Sequence, residues 1–439
     1  MRERRSATRV RSVHSRYWLI AAMLLAAGIV LIPILYTGGA LETFRLPKEM
    51  AFRAEAIALA LTGVFVATAA HTRWRDALKT LPRREWFLLG AIAIWCIVTT
   101  LTSSNRPLSE GSLVTVAAAL VIYVATRLIA PALRIPVLFV VFAGAFANAV
   151  VVTLQELRIW NPFVFPPEVT GHGQSVGLLG NANDVGTLLA GPAVVALIAA
   201  VAVRGWQRVM YGAAAAVLFM GVTMSQTRTA MIAFAAGTIV AALLRPWRQA
   251  IAVAVLLMIF AAVALRPSTG IRANFTRLAT AARQRDYPIL FSERAVPFLS
   301  ALEMVRANPG VGVGPGCFKY HFMLTRLTLE KRYPASWTRG WPMNFGETHN
   351  DHLQVAAETG LPGYTLLAGA IALLAIPRRR RDNVLPRTTE QTVGHAIRTP
   401  LAATFFVIAL AQFPLQIAAP RLMFLTLGAI AISWDRPDA

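Results

Sequence analysis

The sequence predicts an all-α polytopic membrane protein, with about 12 transmembrane helices and one large, partly helical extramembrane loop. Three observations predict it. First, 56% of the 439 residues are hydrophobic and only 15% are charged, against about 25% charged in soluble domains; the same richness excludes disorder, which needs low hydrophobicity. Second, apolar runs approaching the length of about 20 residues that a spanning helix needs recur along the chain. Third, Lys and Arg are distributed asymmetrically between alternate connections. The two cysteines, Cys96 in an apolar run and Cys317 in a polar loop, make neither a disulfide framework nor a cysteine-rich zinc site.

In chain order the runs fall at 17–36, 54–70, 86–102, 113–130, 136–155, 184–203, 209–224, 229–244, 250–265, 361–377, 401–418 and 421–434. Several are short, so tilted pairs or broken helices are expected among them. The first follows Arg2, Arg4, Arg5, Arg9, Arg11 and Arg16, as a signal peptide would. It is too long and lacks a small-x-small cleavage site, which makes it a retained anchor. With the N-terminus inside, the inner segments hold 24 Lys/Arg and the short outer loops seven. This ratio places both ends of the chain in the cytoplasm. Most of the net charge of +22 is therefore topological, and no nucleic acid is needed to explain it. Residues 1–265 hold the first nine spans, 266–360 one long outer segment, and 361–439 the last three spans with a cytoplasmic tail.

The long segment carries twelve Lys/Arg and seven Asp/Glu. Long loops translocate regardless of charge, so orientation does not explain its positive balance. An anionic partner does, and lipid phosphates are the nearest. Residues 271–285 place Ile271, Phe275, Leu278 and Ala282 at helical spacing with Arg272, Arg283 and Arg285 off that stripe; this suits a helix on the bilayer surface or one packed on the rest of the loop. A second helix covers 293–307, has Arg294 in its first turn and stops at Asn308-Pro309-Gly310. The run GVGVGPG at 310–316 makes a tight turn, but no Gly-Lys-Ser/Thr follows, so it is not a nucleotide-binding loop. Tyr320, Tyr333, Trp337 and Trp341 suit sugar faces or, better, lipid headgroups.

Three constellations carry chemistry. The densest, THNDHLQVAAETGLPG at 348–363, reads as a helix entering the tenth span, with His349, His352, Leu353 and Ala356 on one face. These histidines are either reactive or simply at a wet helix end. The zincin spacing, with a glutamate between histidines four apart, is missing, so no metal is expected. In SQTRTA at 225–230, Arg228 falls between two spans with no room for a loop. An arginine at that depth needs a partner or a water-filled cavity, or it snorkels to the interface. In GLLGNANDVG at 177–186, a polar turn holds Asn181, Asn183 and Asp184, with Asn183 or Asp184 as the expected cap of the next helix. The span interiors contain essentially no ionisable residues, whereas ion-coupled transporters place such groups near the midplane. The polar machinery is thus concentrated at the outer face.

The pattern H-N-x-x-L-x-x-x-x-E-x-G-x-x-G at 349–363 resembles the signature of bacterial O-antigen ligases and polymerases, which also occurs in protein O-oligosaccharyltransferases of the pilin-glycosylating type. Gly180-Asn181-Ala182-Asn183 resembles the family's G-N-x-N turn, with alanine where proline is common. Ser225 to Ala230 resembles its S-x-x-R-x-A turn. Arg294 followed by Asn308 to Gly314 resembles its arginine-then-P-x-x-G-x-G stretch. Together these cover about 140 to 363.

The resemblance implies an inner-membrane, GT-C-like glycosyltransferase that needs neither metal nor cofactor. Its donor would be a glycan on undecaprenyl diphosphate and its acceptor a sugar hydroxyl of lipid A core, met among membrane lipids on the periplasmic side. Cleaving a glycosyl–diphosphate bond builds negative charge that a metal or fixed cations must stabilise. There is no Asp-x-Asp pair, and arginines can grip a diphosphate bidentately. Arg228 and Arg294 fall on the family's arginines and His349 on its histidine, the expected general base. Lys48, Asn181, Asn183, Arg283, Arg285, Asn350 and His352 are weaker substrate-binding expectations. Ligase is the first reading, polymerase and protein O-oligosaccharyltransferase follow, and a lipid-linked-glycan transporter is the alternative from another class.

Overall fold

The computed structural model describes residues 2–38, 42–69, 78–165, 168–169, 171–244, 251, 258, 262, 271–290, 294–333, 345–376 and 389–434. Among them the chain is helical and no strand occurs. Besides the single turns Gly171–Gln174 and Tyr287–Leu290, the helices are α1 (Arg2–Ile34), α2 (Arg45–Ala69), α3 (Arg83–Leu101), α4 (Arg106–Leu128), α5 (Pro131–Glu156), α6 (Ala182–Ala202), α7 (Trp206–Met224), α8 (Arg228–Leu243), α9 (Ile271–Gln284), α10 (Ala295–Ala307), α11 (Phe318–Arg332), α12 (Asp351–Ala375), α13 (Thr389–Ala409) and α14 (Ala418–Trp434). Seven of the described helices are long and apolar enough to cross a membrane, and Trp18–Ile34, α8 and α14 are shorter apolar helices. The predicted runs fall on helices except 401–418, which is broken after Ala409, and 250–265, which lies almost wholly outside the described residues. Trp337 and Trp341 lie outside them too.

At the centre stands α6. Beyond Thr187 its residues are apolar all round, as a helix enclosed on every side requires, and Val185, Leu188, Leu189, Ala193, Val194 and Val195 are fully buried. Neighbours approach closely at small residues, the usual way for helices to pack without a hydrophobic drive between them. Gly186 meets Thr227 and Ser225, Gly221 meets Ala149, and Gly237 meets Thr404. The bundle alternates in direction. At one end Asn148 of α5 bonds Pro33 and Leu178, Thr227 bonds Ala182, and Gln226 bonds Glu156. At the other end Arg127 pairs with Glu85 at 2.6 Å, and Arg398 donates to the last carbonyls of α12, those of Leu373, Leu374 and Ile376.

Three expectations need correction. The predicted span at 401–418 is not one helix: α13 ends at Ala409 and a largely buried turn runs to the start of α14 at Ala418. Pro414 has no N–H to continue the helix. The freed backbone is met by charged side chains, the condition for irregular chain at membrane depth: Leu415 N–H donates to Asp351 at 2.7 Å, Arg421 donates to Leu415 O at 2.7 Å, and Arg294 donates to Ala411 O. The span interiors are also not free of ionisable groups. The second span begins at Arg45, upstream of the predicted run, and so adds Lys48, Glu49 and Arg53 to Glu55, which the run at 54–70 already held. Glu49 pairs with Arg53 and with Arg421, each at 3.1 Å. Both carboxylate oxygens of Glu55 are buried against Gly28 without a hydrogen-bond partner among the described residues. Finally, His349 does not share a helix face with His352. It precedes α12, in the left-handed region at φ 56°, and Asn350 is the cap, accepting from Leu353 N–H at 3.0 Å.

Candidate active site

Four helix starts converge at the end of the bundle that holds this turn. They belong to α6, capped by the Asn181 side chain on Asn183 N–H at 2.8 Å, to α8, whose first residue is Arg228, to α10, which follows Arg294, and to α12, capped by Asn350. Unpaired N–H groups at helix starts carry partial positive charge and suit an anion. The cap of α6 is Asn181, neither Asn183 nor Asp184 as expected.

Arg228 is forced into place by a three-residue link. Met224 ends α7, Gln226 takes φ 49°, and α8 begins two residues later. Arg277 of α9 lies within electrostatic reach of Arg228. Arg294 is partly buried, anchored on the Ala411 carbonyl, and near enough to Arg228 and Asp184 for both to act on its charge. Burial, then repulsion from Arg228, lower its pKa to about 10 against the pull of Asp184, so the guanidinium stays charged at neutral pH. His349 stacks edge-on against Phe413 at 4.6 Å and Phe345 at 5.8 Å. Burial first, then Arg294 and Arg45, push its pKa down to about 3. The imidazole is therefore neutral at pH 7, and its Nδ1 is buried without a hydrogen-bond partner among the described residues.

Thus Arg294 lies within electrostatic reach of both Arg228 and His349. Arg45, missed in the sequence, joins them. It sits 5.3 Å from the centre of the Phe413 ring and pairs with Asp184 at 3.5 Å and Glu347 at 3.1 Å. Glu347 stands two residues before His349, which was the one available signal; Phe413 lay hidden in what read as a span.

Other expected residues fare differently. Lys48 is buried and bonds the Leu35 and Leu178 carbonyls, holding the turn before α6. Arg283 and Arg285, expected to bind substrate, are exposed at the end of α9, whereas Arg277 of the same helix is within electrostatic reach of Arg228. Asn350 spends its side-chain oxygen on its own helix. The Nε2 of His352 lies 3.2 Å from the Phe406 carbonyl, and its ring packs on Phe406 and Tyr364, apart from His349.

The remaining motif residues build the frame. Glu358 accepts from Gly316 N–H at 2.9 Å and Phe318 N–H at 3.2 Å. Val313 and Gly314 N–H donate to the Ala357 and Glu358 carbonyls, and Leu361 N–H to Pro309, all at 2.9 Å. The glycine run is thereby clamped onto a kink in α12 at Gly360 (φ 70°, ψ 178°). This clamp fixes α10, which follows Arg294, against α12, which follows His349. Residues 213–368 match the O-Antigen ligase family model, a stretch that contains Arg228, Arg294, His349 and the clamp. No curated protein matches the chain.

Proposed function

Taking as premise the O-antigen ligase family assignment that residues 213–368 support, we propose that the chain transfers a glycan from undecaprenyl diphosphate to a sugar hydroxyl of lipid A core at the periplasmic face of the inner membrane. The observation that carries this reading is the 410–417 turn, where Arg294 is held on the Ala411 carbonyl and His349 packs 4.6 Å from Phe413, with Arg228 within electrostatic reach of Arg294. Two fixed guanidinium groups beside a neutral imidazole are what a diphosphate leaving group and an incoming alcohol need.

The acceptor oxygen attacks the anomeric carbon on the face opposite the diphosphate, and the carbon–phosphate-oxygen bond breaks, inverting the configuration. The hydroxyl proton passes to His349. The electron pair of the broken bond stays on undecaprenyl diphosphate, where Arg228 and Arg294 stabilise the added charge. The site is pre-charged, so no reorganisation is needed as charge develops. Burial leads the depressed basicity of His349, and Arg294 and Arg45 add to it; the bound diphosphate offsets the arginine part, so the imidazole regains proton affinity when the donor is in place.

Deletion of the gene followed by lipopolysaccharide gels tests the reading. Loss of all capped species with accumulation of lipid-linked donor supports it. Survival of a single-repeat cap overturns it in favour of a polymerase. Unchanged lipopolysaccharide with loss of a glycoprotein overturns it in favour of transfer to protein.

A further inference from the structure

We propose that Arg45 is a third diphosphate-binding arginine, and that in the donor-free protein the Glu347 carboxylate occupies it in the place of a phosphate. The inference rests on the functional reading above and adds a donor-controlled contact to that site. Both forks of the Arg45 guanidinium are engaged, Nη1 with Glu347 at 3.1 Å and Nη2 with Asp184 at 3.5 Å. The two partners are not equivalent. The Asp184 side chain is 2% exposed and fixed in the first turn of α6, whereas that of Glu347 is 27% exposed and lies on the loop before α12.

Asp184 therefore positions Arg45, and Glu347 is the partner that an anion can displace. The place fits an anion. Arg45 and Arg294 both act on His349, so the Arg45 guanidinium stands by the same imidazole as the proposed donor cations. Phe413 joins the two, with Arg45 5.3 Å from its ring centre and the His349 ring 4.6 Å from it. A diphosphate carries two acceptor groups and more charge than one carboxylate, and it satisfies the bidentate fork better. When it takes Arg45, Glu347 is released two residues from the base. Donor arrival is thus coupled to the loop that holds His349.

The probe is inorganic pyrophosphate, titrated calorimetrically into the full chain in detergent at moderate ionic strength. Glu347→Gln is expected to tighten binding about two- to fivefold, the range for an ion pair this exposed. Glu347→Ala should do the same, and Arg45→Gln should weaken binding. In the Arg45→Gln background, Glu347→Gln should have no further effect, because it acts through Arg45. Unchanged or weaker binding in both Glu347 variants overturns the inference, as does an equal gain without Arg45. Arg294→Ala separates the two levels. Unchanged pyrophosphate binding in Arg294→Ala overturns the reading of the whole site, and this inference with it. Weakened binding there, with no gain from Glu347→Gln, overturns the inference alone.

Discussion

The clamp between the glycine run and the kinked α12 makes a graded prediction from three glycines. A Cβ at Gly312 would stand 2.4 Å from the Glu358 carbonyl carbon, and one at Gly360 would stand 2.2 Å from the Gly310 oxygen; both residues have positive φ, 71° and 70°. The obstructing atoms are backbone and cannot rotate away. Backbone held in such a region costs a side-chain-bearing residue about 1–3 kcal/mol. Displacing the Gly314–Glu358 or Leu361–Pro309 hydrogen bond, each 2.9 Å long, adds about 1 kcal/mol. Gly312→Ala and Gly360→Ala should therefore each cost about 2–4 kcal/mol. Gly310→Ala, whose Cβ would meet nothing within 4 Å, should stay within about 0.5 kcal/mol of the parent. Thermal unfolding in detergent measures stability, and glycan transfer well below the melting temperature measures function. Transfer should fall in the first two variants, because α10 and α12 position Arg294 and His349. If Gly310→Ala is as damaging as Gly312→Ala, or Gly360→Ala is silent, the clamp is not what aligns the site.

His349→Ala should abolish transfer while the protein still inserts and folds; retained transfer would remove the base assignment. In the free protein His349 is neutral above about pH 3, so kcat/KM should show no His349 limb between pH 7 and 5. The acid limb of kcat should lie at higher pH, since bound diphosphate raises the imidazole's proton affinity; a kcat/KM break near the ordinary histidine value would contradict the buried, arginine-flanked setting. The same shift affects stability. An unfolded imidazole titrates near 6.5 and the folded one near 3, so its contribution is complete above pH 6.5 and is lost as pH falls toward 3. His349→Gln should flatten that slope in melting temperature against pH, and an unaltered slope would assign it to other groups.

The apolar helices α3 to α8 were legible because hydropathy alone specifies them. The start of α2 was not, because Arg45, Lys48, Glu49 and Arg53 depress hydropathy, and partners such as Arg421 for Glu49 come from the other end of the chain. The break at 410–417 was equally silent: Asp351, Arg294 and Arg421 make it tolerable, and none of them is a neighbour in sequence. Periodicity placed His349 on a helix because it cannot register a single left-handed residue ahead of a cap. In the site, Arg228, Arg294 and His349 stood out by local motif. Arg45 and Phe413 have no linear pattern and were found only once α2 and the 410–417 turn were seen beside His349. The placement of Asp184 on Arg45 in the first turn of α6 likewise needed the fold.

The account depends on guanidinium geometry at the diphosphate, and it is tested most directly by kcat/KM for the lipid-linked donor in purified Arg228→Lys and Arg294→Lys proteins. Lysine keeps the charge and loses the bidentate fork. The account predicts a fall of about tenfold or more in each, corresponding to about 1.4 kcal/mol of lost transition-state stabilisation, and a larger fall in the alanine variants. Parent-level kcat/KM in both lysine variants would contradict it.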